Sequence, residues 1–170
     1  WLRAQGSLTP TLIERRARLA LTDINNLYGM HDFTEACSRR GVRPVIGVEF
    51  RTDDARALVL ARDRRGFSRL TRLTSARMRE AGFGLSAALA ECSDGLVVIS
   101  DTPTLLAGLN GRVEALYAMV TPHSRRAERE ARRLGIPLAA CGDVSFLSED
   151  DHHVHRVLRA IAARGPLSSI

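Results

Sequence analysis

The fold is decided by the stretch Leu19–Phe50, which reads LALTDINNLYGMHDFTEACSRRGVRPVIGVEF. Its first apolar run predicts a strand, and the helical spacing of the next apolar residues predicts a helix from about Met30 to Arg40. A second strand is predicted over Val45–Val48. Asp23 and Glu49 stand near the carboxyl ends of the two strands, where parallel α/β folds place their chemistry. The stretch therefore predicts the layout of a site.

Outward from this stretch, apolar runs alternate with helical patterns. Further strands are predicted over 57–61, 96–99, 115–120 and 137–141, and helices over 67–76, 85–91, 103–109, 125–134 and 150–163. The last helix places Val154, Val157, Leu158 and Ile161 on an inward face. About six strands that alternate with helices indicate an α/β fold with a parallel sheet or an incomplete barrel. No linker or repeat divides the chain, so a single domain over 1–170 is expected.

Charge and composition limit the classes of function. All 25 basic residues are arginines, and the net charge of +6 favours contact with nucleic acid. The arginines are spread over separate predicted helices and turns, so solvated helix faces and a DNA-binding face both stay open. Aromatic residues make up only 5% of the chain, which argues against a stacking platform for single-stranded nucleic acid.

Two further features bear on the compartment. No apolar run approaches the roughly 20 residues that a membrane helix needs, so no membrane partner is expected. The three cysteines, Cys37, Cys92 and Cys141, are odd in number and lack the spacing of a metal site. A reduced, cytoplasmic location is therefore expected.

Three blocks of the sequence, in order, resemble one family. They are LALTDINNLYG with RPVIGVEF inside 19–50, ALVLARDRRGFSRLTRL at 57–73, and LGIPLAACGDVSFLSEDDHHVHRVLRAI at 134–161. Together they resemble the PHP (polymerase and histidinol phosphatase) domain at the N-terminus of bacterial DNA polymerase III alpha subunits, and the error-prone relatives are the closer match. The resemblance implies a distorted (β/α)7 barrel. The chain begins after the family's first strand, so an incomplete PHP-type barrel with about six strands is expected, with the polymerase modules lying beyond Ile170.

The resemblance also implies a site. The intact family site is a trinuclear metal centre of His, Asp and Glu on successive strand ends, and such ligands suit Zn, Mn or Fe. Four family positions survive here as remnant metal positions: Asp23, Glu49, His123 and Asp143.

Other family ligands are missing from the sequence. Ile24 stands where relatives often carry a His, Arg56 or Ala57 stands where a His begins the middle strand, and Ser145 replaces the His of the closing motif. The family's His-x-His pair has no counterpart. An arginine at the rim would also repel divalent cations. We therefore expect no catalytic residue and no cofactor, with Zn or Mn the metals to expect if the remnant positions bind one.

Each surviving residue also has a purely structural role open to it. Asp23 can cap a turn or the next helix, Glu49 can pair with an arginine, His123 can be a solvated histidine, and Asp143 can cap a loop. His152, His153 and His155 lie in the DDHHVH start of the last helix, where solvated side chains are expected.

From the resemblance we expect a non-catalytic structural or partner-docking domain of a DNA polymerase III alpha-like polymerase of the error-prone type, in DNA replication or repair synthesis. The parent family is a DNA-directed DNA polymerase, a nucleotidyltransferase. The expected partners are the remainder of the polymerase or a replication or repair subunit, with DNA at the Arg-rich faces. The main alternative is a metal-dependent phosphoesterase or 3′–5′ exonuclease that uses the residual carboxylates. A third option is a free-standing basic domain that binds DNA without catalysis.

Overall fold

The structure is a computed structural model that describes residues 18–121, 124–142 and 149–169. These residues divide into two compact units, one ending at Ala140 and the other beginning at Cys141. In the described parts of the chain, no helix has both the length and the apolar character needed to cross a membrane.

Strands and helices alternate along the first unit. In the described residues its elements are β1 (Arg18–Ile24), α1 (Met30–Arg39), β2 (Arg43–Arg51), β3 (Arg56–Ala61), α2 (Arg64–Arg79), α3 (Leu85–Glu91), β4 (Leu96–Ser100), α4 (Pro103–Leu109), β5 (Leu116–Val120), α5 (Arg125–Leu134) and β6 (Leu138–Ala140). The predicted α/β class and the incomplete barrel of about six strands are confirmed.

The six strands form one mixed sheet in the order β1-β2-β3-β4-β5-β6. Strand β3 is antiparallel to both neighbours, and the remaining pairs are parallel. Of the two predicted alternatives, a parallel sheet and an incomplete barrel, the first does not hold at β3. Only residues 52–55 join β2 to β3, and a parallel crossover needs a dozen residues or more. As a result, β3 begins beside the carboxyl ends of β2 and β4.

The main core lies on one face of this sheet, because successive strand residues point to opposite faces. Its strand members include Val48, Phe50, Val59 and Val98, which are all fully buried. Helices α2 to α5 cover this face with leucines, among them Leu70, Leu73, Leu89, Leu106 and Leu109. The alternation leaves the intervening residues, including Glu49, on the other face.

Helix α2 is fixed at its N-terminus by a cap and a close approach. The Asp63 carboxylate accepts a hydrogen bond from the Gly66 backbone N–H at 2.8 Å. A Cβ atom at Gly66 would lie only 1.9 Å from the Gly95 carbonyl oxygen, so only glycine fits this contact. The helix is thereby held against the turn that leads into β4.

The second unit contains α6 (Glu149–Ala163) and a short 3-10 helix, Leu167–Ser169. The predicted inward-facing residues Val154, Val157, Leu158 and Ile161 are exposed, so that prediction is wrong. Among the described residues of this unit, the short 3-10 helix is the only other element that contacts α6. Its three residues are too few to cover the four apolar side chains.

Candidate functional site

The reversed direction of β3 brings its first residue to the sheet edge where β2 and β4 end. In register, Arg56 stands opposite Arg51 of β2, and Ala57 stands opposite Ser100 of β4. Residues opposite each other in a ladder share a face, and successive residues alternate. The side chains of Arg56, Arg51 and Glu49 therefore lie on one face, at the edge that the sequence predicts for the site.

These side chains form an ion-pair cluster around a buried carboxylate. Glu49 is only 6% exposed, and its Oε1 accepts hydrogen bonds from Arg51 Nε at 2.5 Å and Arg56 Nε at 2.7 Å. Arg56 also donates through Nη1 to Asp101 Oδ2 at 3.2 Å. The Arg56 guanidinium thus bridges two carboxylates, and the expectation that Glu49 pairs with an arginine is confirmed. We call Glu49, Arg51, Arg56 and Asp101 the rim cluster.

Two hydroxyl groups fix the backbone of Arg56. Ser100 Oγ donates to the Arg56 carbonyl at 2.6 Å, and the Arg56 N–H donates to Thr102 Oγ1 at 3.0 Å. Ser100 is fully buried and also accepts from the Thr102 N–H at 3.0 Å. The bridging guanidinium therefore projects from a backbone that is held on both sides, which lowers the entropy cost of the ion pairs.

Asn25 extends the β1–β2 ladder and holds the other arginine of the rim cluster. It adopts a left-handed conformation with φ of 52°, which Asn tolerates better than most residues. Its side chain donates to the Arg51 carbonyl at 3.0 Å and accepts from the Arg51 N–H at 2.9 Å. Its own N–H donates to the Glu49 carbonyl at 2.9 Å. Sequence reasoning did not assign Asn25 to the site.

Asp23 has a different role on the opposite face of the sheet. Its Oδ2 accepts a hydrogen bond from the N–H of Gly29, the residue that precedes α1, at 2.7 Å. A Cβ atom at Gly29 would lie 3.0 Å from Leu21 Cδ2 and 3.2 Å from Asp23 Oδ2, so the loop passes close over this face. The expectation that Asp23 caps a turn or the next helix is confirmed.

The structure does not bring Asp23 and Glu49 together. Asp23 is in register with Val48, whereas Glu49 is in register with Ile24, whose side chain is 52% exposed. The two carboxylates therefore point to opposite faces of the same strand pair. His123 and Asp143, and with them Ser145, lie outside the described residues. Metal binding at the four remnant positions stays a prediction.

The carboxylates at the two described remnant positions already have hydrogen-bond partners. Among the described residues, no three His, Cys, Asp or Glu side chains are grouped so that they could hold a metal ion. Glu49 is engaged by two guanidinium groups, and Asp23 by a backbone N–H. Cys37 of α1 is not suited to act as a nucleophile, because burial raises the pKa of its thiol and favours the protonated form.

Sequence reasoning missed Asp101 of the rim cluster and Thr102, which holds the Arg56 backbone. The available signal was their position directly after a predicted strand, at the same end as Glu49. The hairpin-length connection between β2 and β3 was a second signal, since it brings Arg56 back to the end of β2.

Comparison with known proteins identifies relatives of this chain. A family model described as the PHP domain matches residues 13–139. The DNA polymerase III subunit alpha of Bacillus subtilis is 28% identical over 180 residues, which cover 86% of this chain and 16% of that protein. The Escherichia coli K12 protein of the same name is 27% identical over 182 residues, covering 84% of this chain and 16% of its own length.

Among solved structures, an inferred metal-dependent phosphoesterase from Bifidobacterium adolescentis aligns with a TM-score of 0.46 and 15% identity, over 92% of this chain and 90% of that one. The chain spans only 16% of the length of the Bacillus subtilis and Escherichia coli relatives. The family match covers well over half of the sequence. The chain therefore belongs to the PHP domain family.

Proposed function

We propose that this chain is the PHP domain of a DNA polymerase III alpha-like polymerase of the error-prone type. Its role is to support the polymerase or to dock a replication or repair subunit, and it does not hydrolyse phosphodiesters. Similarity to two polymerase alpha subunits over 84–86% of the chain supports the polymerase context. The error-prone type is proposed from the sequence blocks at 19–50, 57–73 and 134–161.

One observation carries the non-catalytic part of this proposal: the Arg56 guanidinium lies between Glu49 and Asp101. Arg56 together with Arg51, which also pairs with Glu49, balances the charges of these two carboxylates. A divalent ion at Glu49 would stand next to Arg56, and two like unit charges 4 Å apart repel by about 4 kcal/mol at an effective dielectric constant of about 20. Metal binding here would require the displacement of an arginine whose backbone is held by Ser100 and Thr102.

The partner class follows from the same context. A domain that forms 16% of its curated relatives has the rest of such a protein as its first candidate partner. DNA at the Arg-rich faces is the second candidate, since the net charge is +6. A cytoplasmic location goes with either partner. Zn or Mn remains the choice of metal if the remnant positions bind one.

Metal content and phosphodiester hydrolysis test the proposal together. The chain is incubated with Zn or Mn, freed of excess metal and analysed for bound ions, while hydrolysis of a chromogenic phosphodiester is followed in parallel. We expect substoichiometric metal and no hydrolysis above that of free metal. The variants Glu49→Gln and Glu114→Gln are measured alongside, since both remove one carboxylate and Glu114 is highly exposed and remote from the rim cluster.

The rival function, a metal-dependent phosphoesterase or 3′–5′ exonuclease, predicts the opposite result. Stoichiometric Zn or Mn, together with hydrolysis that Glu49→Gln abolishes and Glu114→Gln preserves, would overturn the non-catalytic proposal.

A further inference from the structure

Helix α2 has an unusual charge distribution. Its sixteen residues, RRGFSRLTRLTSARMR, include six arginines and no Asp or Glu. Arg77 points inward and donates to the Arg51 carbonyl, and Arg69 pairs with Asp94. The remaining four, Arg64, Arg65, Arg72 and Arg79, are exposed, and no ion pair among the described residues involves them. The helix therefore presents net positive charge to solvent.

The exposed arginines are ordered along the helix. Arg65, Arg72 and Arg79 are spaced by seven residues, so they share one face at intervals of about 10.5 Å. Ser68 and Ser75 lie on the same outward side, between the arginines, and their hydroxyl groups are further hydrogen-bond donors. We call Arg65, Arg72, Arg79 and these two serines the α2 row.

Helix α5 provides a contrast within the same unit. It also carries five arginines, but Arg132 pairs with Glu128 and Arg133 pairs with Glu130. The hydrogen bond from Arg133 lowers the pKa of Glu130, which keeps that carboxylate ionised. Two of the five charges on α5 are thus balanced within the helix. Near α2, Asp63 caps the helix N-terminus and Asp94 pairs with Arg69. Glu80 and Glu91 line the same groove as Arg72 and Arg79, and neither forms an ion pair among the described residues.

We propose that the α2 row binds the phosphate backbone of duplex DNA. Arginine presents a planar fork of donors that matches phosphate oxygens, and serine hydroxyls are common backbone contacts. Duplex DNA carries about one negative charge per 1.7 Å of axis, so a helix of about 24 Å faces several phosphates at once. Arg72, Ser75 and Arg79 line an open groove, and Glu80, Phe83 and Glu91 line the same groove. The row itself contains no aromatic side chain, so it is suited to contact phosphates and not to stack on bases.

The inference deepens the proposed contact with DNA and is independent of the rim cluster. Arg65, Arg72 and Arg79 lie on the outer side of α2, whereas Glu49 and Arg56 lie at the carboxyl edge of the sheet. Substitution of the α2 row would change DNA binding without changing the metal content. Metal binding at Glu49 would overturn the non-catalytic proposal without affecting DNA binding by the α2 row. Failure of one proposal can therefore be told from failure of the other.

The test compares two triple variants with equal charge change. Arg65→Gln/Arg72→Gln/Arg79→Gln removes the row, and Arg125→Gln/Arg126→Gln/Arg129→Gln removes three exposed arginines of α5 for which the described residues provide no ion pair. Binding of a labelled duplex of about 20 base pairs is titrated over a range of salt concentrations. The α2 variant should weaken binding at least about tenfold at low salt and reduce the slope of log K against log salt by about 2 to 3. The α5 variant should bind nearly as the unchanged chain does.

Three results would overturn the inference: absence of duplex binding by the unchanged chain, equal weakening by both variants, or weakening by the α5 variant alone. Poly-glutamate at matched charge is added as a competitor. If it displaces the duplex as well as unlabelled DNA does, the α2 row recognises acidic proteins and the DNA assignment is wrong. Circular dichroism melts of both variants test whether the fold is kept. Unchanged melting temperatures are expected, because the substituted side chains are exposed.

Discussion

Asp23 and Glu49 occupy the ends of neighbouring strands, and the structure gives them unrelated tasks. Asp23 lies near the end of an edge strand of the described sheet and accepts one backbone hydrogen bond from Gly29. Glu49 lies near the end of a strand that is paired on both sides, and it pairs with two arginines. The family resemblance implies the same role, a remnant metal position, for both residues. Position in a motif therefore does not determine the role of a carboxylate in this chain.

The register of the β1–β2 ladder explains why the two carboxylates have different partners. Glu49 pairs with Ile24, one residue beyond Asp23, so the two acids fall on opposite faces of the β1–β2 ladder. One face leads to the loop before α1, and the other leads to the start of β3 with its arginine. A histidine in place of Ile24 would share a face with Glu49. Ile24 has an apolar side chain, so β1 provides no polar partner for Glu49 at this register position.

The largest expected effect is the loss of Glu49. Glu49→Ala should lower the free energy of unfolding by about 3 kcal/mol, because it leaves two guanidinium groups without their shared carboxylate. We place the value at the low end of the range for buried pairs, since the Arg51 side chain is 45% exposed and that of Arg56 is 22% exposed. Urea denaturation followed by circular dichroism measures the change.

The matched change Glu114→Ala removes an exposed carboxylate with a 3.5 Å ion pair to Arg62 and should cost less than about 0.5 kcal/mol. A similar small cost for Glu49→Ala would contradict the view that the rim cluster is a buried, mutually dependent group.

Much of the fold could be predicted from the sequence. The apolar runs of β1, β2 and β4 are short and are bounded by Asp, Asn, Gly or Pro, so their positions follow from local pattern. The direction of β3 could not be predicted from its own residues, because ALVLA is compatible with either orientation. The antiparallel direction of β3 relative to β2 follows from the shortness of the connection 52–55, because a parallel crossover needs a dozen residues or more.

The second-largest expected change in the free energy of unfolding is that of substitutions at Asp23. Asp23→Ala should cost about 1 kcal/mol, as the loss of a capping carboxylate usually does, because the Gly29 N–H loses its acceptor. Asp23→Asn keeps an acceptor oxygen at the same position and should recover more than half of that loss. Thermal and urea unfolding of the two variants provide the comparison. If both variants cost the same, the charge of Asp23 matters more than the hydrogen bond to Gly29.

The site was predictable only in part, for a physical reason. The pairing of Glu49 with an arginine follows from the density of arginines around residues 51–56. The bridge from Arg56 to Asp101 joins residues 45 positions apart and depends on the register between β3 and β4. Local sequence carries no information on that register until both strands are placed in one sheet.

The smallest expected effect is the coupling between the two acids. A double-mutant cycle of Asp23→Ala and Glu49→Ala should give an interaction energy below about 0.5 kcal/mol, because their side chains point to opposite faces and share no partner in the described residues. A cycle of Glu49→Ala and Arg56→Ala should instead give more than about 1 kcal/mol, since the two side chains are joined by a 2.7 Å hydrogen-bonded ion pair. Urea unfolding of the singles and doubles supplies all the terms. Strong coupling between Asp23 and Glu49 would mean that the two carboxylates act on a common group, as shared ligands of one ion would, and would count against the division of the two faces.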